Sequence, residues 1–265
     1  MYNEVYELVR MVKAKSLSGV LELTLDRPDK RNALSSAVID ALEEVLEEYS
    51  DDCSLALAVI TGTGDRAFAS GGDLVELAAI RSAEAAAQMA ERYRNVFDAI
   101  RGFPVPVVAA LNGDALGGGA ELALACDMRI AAAHARIGFL QGKLAITSAW
   151  GGGADLIAAV GTSRALRMMG TAELLSAETA REWGLIEAVA AEGQDFAAFV
   201  HEFAGRFAGR TPAVMRAYKA MVGASRFGAT RDELVRMEMD NFSQVWAHDD
   251  HWNAVEASSG RAGRR

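Results

Sequence analysis

Residues 104–127 read PVPVVAALNGDALGGGAELALACD, and the architecture of the chain turns on this stretch. Residues 105–111 form a short apolar run rich in β-branched side chains, as a buried strand requires. Asn112-Gly113 supplies a turn. Gly117, Gly118 and Gly119 follow, and residues 120–126 read as an apolar helix with one acid, Glu121, near its start. Three consecutive glycines cost backbone entropy. They serve either of two purposes. One is close packing of a helix on a strand. The other is access of a ligand to bare N–H groups at a helix N-terminus, where developing negative charge is held in an oxyanion hole.

Other glycine-rich devices fit less well. A dinucleotide fingerprint fails because Leu122 stands where its third glycine belongs. In residues 138–144 (GFLQGKL), a phosphate loop is one residue short, and Leu144 replaces the hydroxyl that would hold magnesium. A nucleophile elbow at Gly161-Thr162-Ser163-Arg164 ends in Ala165 rather than glycine.

Working outward, residues 19–25 alternate, with Leu21, Leu23 and Leu25 on one face of a strand. The polar turn DRPDKRNALS follows, and Ser35 is placed to cap a helix whose apolar stripe is Val38, Leu42, Val45, Leu46 and Tyr49. Residues 55–61 (LALAVIT) form a second buried strand, leading into GTGDRAFASGGDL. This repeats the opening logic of strand, glycine turn and helix start. Residues 83–100 are alanine-rich and helical. Downstream, residues 128–133 read as a strand, a long loop carries Gln141 and Trp150, and residues 163–169 and 177–183 read as helices. GLIEAVA makes a short strand. From Phe196 the periodicity is helical, and the terminal SSGRAGRR is expected to be disordered. The division expected is a strand–helix core over residues 1–195 and a helical region over 196–265, an α/β architecture.

The 265 residues carry a net charge of -9, which argues against nucleic acid as a partner. Two cysteines make neither a disulfide framework nor a metal cluster, so no metal is expected and a reducing cytoplasm is. No stretch is long and apolar enough to span a bilayer.

Taken together, the motifs resemble the crotonase (enoyl-CoA hydratase/isomerase) superfamily. The matching pieces are RPDKRNALS, ITGTGDRAFASGGDL, the 104–127 stretch, WGGG followed by AVGTSRAL, and AETAREWGLIEAV. They stand in family order across residues 21–189. The resemblance implies a spiral of ββα units, a C-terminal helical trimerisation region giving a homotrimer or a dimer of trimers, and a coenzyme A thioester as substrate. It implies no separate cofactor, since coenzyme A enters with the substrate; an acyl-carrier-protein thioester is an alternative. It assigns the oxyanion N–H groups to Gly72 and Gly118, with Gly117 beside them. Lys30 and Ala33 would lie along the coenzyme, and Ser70, Asp73 and Leu74 along its pantetheine end. Lys219 would offer a basic group to the nucleotide, and Trp150 would shape the acyl pocket.

Hydration of an enoyl thioester in this family uses two glutamates. Glu121 matches the first. Where hydratases read Pro-Glu for the second, this chain reads Leu140-Gln141, and an amide cannot take up and return a proton at neutral pH. Decarboxylation of a malonyl-type thioester generates the enolate without a base. The combination of SGGDL, ALGGGAEL and SAWGGG resembles the methylmalonyl- and ethylmalonyl-CoA decarboxylases of the superfamily, and a decarboxylase is the expectation. An enoyl-CoA hydratase or isomerase is the alternative, and a catalytically silent coenzyme A-binding protein a third reading.

Overall fold

Leucine at every second position turns one face of a strand inward. In the computed structural model, which describes residues 11–262, Val12–Leu17 (β1) and Val20–Leu25 (β2) form an antiparallel hairpin. Leu21, Leu23 and Leu25 are buried. The sequence reading did not contain β1, an edge strand whose lysines and serine face outward. Ser36–Ser50 (α1) is capped by Ser35, whose hydroxyl accepts the Val38 N–H at 3.4 Å, and it buries Val38, Leu42, Val45 and Leu46. Leu57–Gly62 (β3) and Ala67–Ala69 (β4) precede Leu74–Leu77 (α2) and Ala83–Arg101 (α3).

The 104–127 stretch becomes Val107–Leu111 (β5), Asp114–Leu116 (β6) and Gly118–Ala125 (α4). Met128–Ala131 (β7) and Arg136–Gly138 (β8) follow. Beyond a 3-10 turn at Gln141–Leu144 come Gly152–Val160 (α5) and Thr162–Thr171 (α6). Leu175–Ser176 (β9), Ala177–Glu182 (α7) and Ala188–Val189 (β10) close the strand-containing part. Four helices end the described residues: Phe196–Ala208 (α8), Pro212–Arg226 (α9), Arg231–Trp246 (α10) and Asp249–Ala262 (α11). Residues 258–262 therefore lie in α11, against the expectation of a disordered tail; residues 263–265 of that tail lie outside the described part.

Two sheets run side by side. One has the order β1-β2-β3-β5-β7-β10, the other β4-β6-β8-β9. Successive ββα units place one strand in each sheet, so β3 and β4, β5 and β6, and β7 and β8 alternate between them. Within each sheet these strands are parallel, and the connecting helices cover the faces. Asn112 ties the turns together: its Oδ1 accepts the Gly62 N–H at 3.0 Å, and its Nδ2 donates to Gly64 O at 2.7 Å.

Period two also divides the core. Ala58 and Ile60 of β3 face the large core, whereas Leu57 and Val59 face a second cluster with Phe203 and Ala204 of α8. The helical region after residue 195 thus begins packed on the sheet. Among the described residues, no helix is long and apolar enough to cross a membrane.

Candidate active site

Helix α4 is buried along its whole length, and Glu121 is its one ionisable residue. Each of the three glycines ahead of it has a separate physical reason. Gly117 sits at φ 53°, a conformation favourable to glycine. A Cβ on Gly118 would fall 1.9 Å from Cζ3 of Trp150. One on Gly119 would fall 2.0 Å from the carbonyl oxygen of Ala69 in β4. Gly119 thus packs the helix on β4, Gly118 packs against the Trp150 ring, and Gly117 supplies the positive φ of the turn into the helix.

The second glycine loop is pinned beside it. Leu34 N–H donates to Gly71 O at 2.8 Å, and Asp73 N–H donates to Leu34 O at 3.1 Å. The N–H between them, that of Gly72, has no acceptor among the described residues, and neither has that of Gly118. The loops touch, since a Cβ on Gly71 would lie 3.3 Å from the Gly118 nitrogen. Gly72 and Gly118 both line a cavity of about 370 Å³, which Glu121, Gln141 and Trp150 line as well.

Glu121 is 2% exposed, and its carboxylate is held on both oxygens. Oε2 accepts the N–H groups of Trp150 at 2.9 Å and Gly152 at 3.1 Å. Oε1 accepts the Gln141 side-chain amide at 2.9 Å. Burial pushes the Glu121 pKa up, and the Trp150, Gly152 and Gln141 donors pull it partly back. Trp150, 6% exposed, stacks on Tyr93 at 4.5 Å between centroids and meets Phe97 edge-on at 5.7 Å. Its ring is a rigid wall beside the two glycines.

Ser70, Gly72, Leu74, Gly117, Gly118, Glu121, Gln141 and Trp150 all line this cavity. Four expected residues do not. Lys30 is exposed and Ala33 is buried in its turn, both outside the lining. Asp73 faces away: Oδ2 accepts Arg27 Nη2 at 3.0 Å, and Oδ1 caps α2 through the Val75 N–H at 3.2 Å. Lys219 lies away from the cavity altogether. It is 4% exposed, and its ammonium lies 2.6 Å from both carboxylate oxygens of Asp127, on the far side of α4 from the glycines. Burial pushes its pKa down against the pull of Asp127. In this chain it is an internal ion pair.

Leu77, Met89, Leu144 and Ile146 also line the cavity, together with Lys143. Sequence reading missed them because an apolar residue aimed into a cavity carries the same signal as one aimed into the core.

The enoyl-CoA hydratase/isomerase family model matches residues 15–259, and the chain belongs to that family. A crotonyl-CoA hydratase of Syntrophomonas wolfei is 31% identical over 252 residues, covering 95% of this chain and 95% of that protein. A 2,3-dehydroadipyl-CoA hydratase of Escherichia coli is 34% identical over 238 residues, covering 90% and 91%. The solved enoyl-CoA hydratase from Bacillus anthracis superposes with a TM-score of 0.88 at 29% identity, covering 94% of this chain and 96% of that one. These relatives are named as hydratases; the expected kinship with decarboxylases finds no support among them.

Proposed function

We propose that this protein adds water to a short enoyl-CoA thioester, with Glu121 as its single acid–base group. The observation that carries the proposal is that buried Glu121 lines the same cavity as Gly72 and Gly118, whose N–H groups have no acceptor among the described residues. The thioester oxygen accepts those two donors. Glu121 takes a proton from water as the oxygen of that water bonds to Cβ, and the π electrons move onto the carbonyl oxygen as an enolate. Glu121 then returns the proton to Cα, and the net change is one water added. Donors placed for the enolate stabilise the transition state more than the substrate, and one such donor is worth about 3 kcal/mol. The same proton shuttle, without water, isomerises the double bond.

Among the described residues Glu121 is the one carboxylate lining the cavity, which favours one other reading, decarboxylation of a malonyl-type thioester. There the enolate forms as CO₂ leaves, and protonated Glu121 supplies the proton to Cα. We further propose that the protein assembles as a homotrimer or a dimer of trimers through its C-terminal helices.

Incubation with crotonyl-CoA and with methylmalonyl-CoA, followed by mass spectrometry, separates the two chemistries. The expected result is gain of water by crotonyl-CoA, reduced at least about 100-fold in Glu121→Gln, which keeps the shape but cannot shuttle a proton. Loss of CO₂ without any hydration would overturn the first reading in favour of the second.

A further inference from the structure

The loop that orients Glu121 is itself held from behind. Arg101, at the end of α3, is 4% exposed and does not line the cavity. Its Nη2 donates to the Trp150 carbonyl at 3.2 Å and to Asp155 Oδ2 at 2.7 Å. Its Nε also reaches Asp155 Oδ2, at 3.0 Å, and its Nη1 reaches Asp98 Oδ1 at 2.7 Å. The other oxygen of Asp155 accepts Arg226 Nε at 3.1 Å, and Arg226 Nη1 donates to Ala125 O at 3.1 Å, at the C-terminal end of α4. The residue that gives Arg101 its carbonyl, Trp150, gives its N–H to Glu121. The loop has no slack on either side. A Cβ on Gly151 would lie 2.7 Å from Arg101 Nη2, and one on Gly152 would lie 2.5 Å from Glu121 Cγ.

We propose that Arg101, braced by Asp155 and Arg226, is a positioning residue that sets the orientation of the Glu121 carboxylate through the backbone of residues 150–152. The inference rests on the reading of Glu121 as the proton-transfer group. A planar guanidinium can hold a carbonyl and a carboxylate at once in fixed directions, which an ammonium cannot. If the fork is lost, the loop relaxes and the Trp150 and Gly152 N–H groups no longer meet Oε2 squarely. The donors that favour ionised Glu121 then weaken, so its pKa rises further. Among the described residues the charged and titratable groups around Glu121 are few, and Asp98 of α3 is engaged by Arg101. Lys143 lines the same cavity from the 3-10 turn, Tyr93 of α3 lies behind the Trp150 ring, and Arg101, Asp155 and Arg226 form the cluster behind the loop.

The test uses the full chain with Arg101→Lys and Arg101→Ala. A misplacement of about 1 Å costs on the order of 100-fold in turnover, so kcat falls by that order with KM little changed. The rising limb of kcat/KM against pH moves to higher pH in both variants. Guanidinium ion added to Arg101→Ala restores part of kcat and returns the limb towards its wild-type position. A lower rate with an unmoved limb would reduce Arg101 to a structural residue, and a wild-type profile in Arg101→Lys would show that charge alone matters. Either result overturns the proposal. Should Arg101→Ala not fold, Asp155→Asn is expected to move the limb in the same direction. Infrared titration of the Glu121 carboxyl, identified by difference against Glu121→Gln, reads the shift without turnover. A wild type inert towards every thioester would therefore sink the functional reading, while the infrared shift would still decide the positioning.

Discussion

Gln141 is where this site departs from two-carboxylate hydration. Its amide donates to Glu121 Oε1 at 2.9 Å and so supports the ionised form. Gln141→Glu removes that donor and adds a second acid beside the first; both changes raise the Glu121 pKa, and the pair then titrates as a unit. We expect the variant to hydrate crotonyl-CoA faster than wild type, with the rising limb of kcat/KM displaced to higher pH. An unchanged rate and profile would show that residue 141 takes no part. In the wild type the sign is already set. Burial holds the Glu121 pKa above the ordinary carboxylate range, so the ionised base is lost as pH falls through that raised value, and hydration falls with it. Stability runs the other way. In the same window the native state binds the proton more tightly than the unfolded chain, so stability decreases as pH rises through it.

Among the elements, α4 is held at both ends by residues distant in sequence. Its N-terminal glycines meet Ala69 and Trp150, while Arg226 of α9 donates to carbonyls at its C-terminus. Just beyond, Asp127 accepts the Val107 N–H at 2.7 Å and pairs with Lys219. Lys219→Met leaves the part-buried Asp127 carboxylate without its cation, and because one partner keeps some contact with water the loss is expected to be about 2–3 kcal/mol, below that for a fully buried pair. Urea denaturation of Lys219→Met should read a loss of that size, with KM for an acyl-CoA unchanged because the lysine is remote from the cavity. A raised KM at full stability would instead return Lys219 to the nucleotide.

At the scale of the whole molecule, the C-terminal helices leave apolar surface uncovered. α10 buries none of its residues, and Met239, Phe242, Trp246, Trp252 and Val255 of α10 and α11 are exposed. Trp246 contacts both Phe242 and Trp252, whose ring centroids lie 5.2 Å and 5.8 Å from its own. A contiguous aromatic patch on a monomer marks an association surface. Sedimentation at micromolar concentration is expected to show trimers or hexamers, and Phe242→Glu with Trp246→Glu is expected to shift them to monomer. A wild type that sediments as a stable monomer would refute the assembly.

What the sequence by itself determined is what depends on short range. The alternation of Leu21, Leu23 and Leu25, the capping of α1 by Ser35, and the order of strand, glycines and helix follow from backbone periods and caps acting within a few residues. The same locality put Gly118 and Glu121 three residues apart on one helix, so that half of the candidate site was legible. The short strands β4, β6 and β8 were not, because three residues carry too little pattern and are strands only through their partners. Nor was the fate of Lys219, whose periodicity suits a helix surface but whose ammonium is drawn onto Asp127, 92 residues away. Only the tertiary structure could set Trp150 against Gly118, place Arg101 behind Trp150, and turn Asp73 to Arg27. Those contacts arise when separate ββα turns close on one another, and packing between distant segments leaves no period in the chain that forms it.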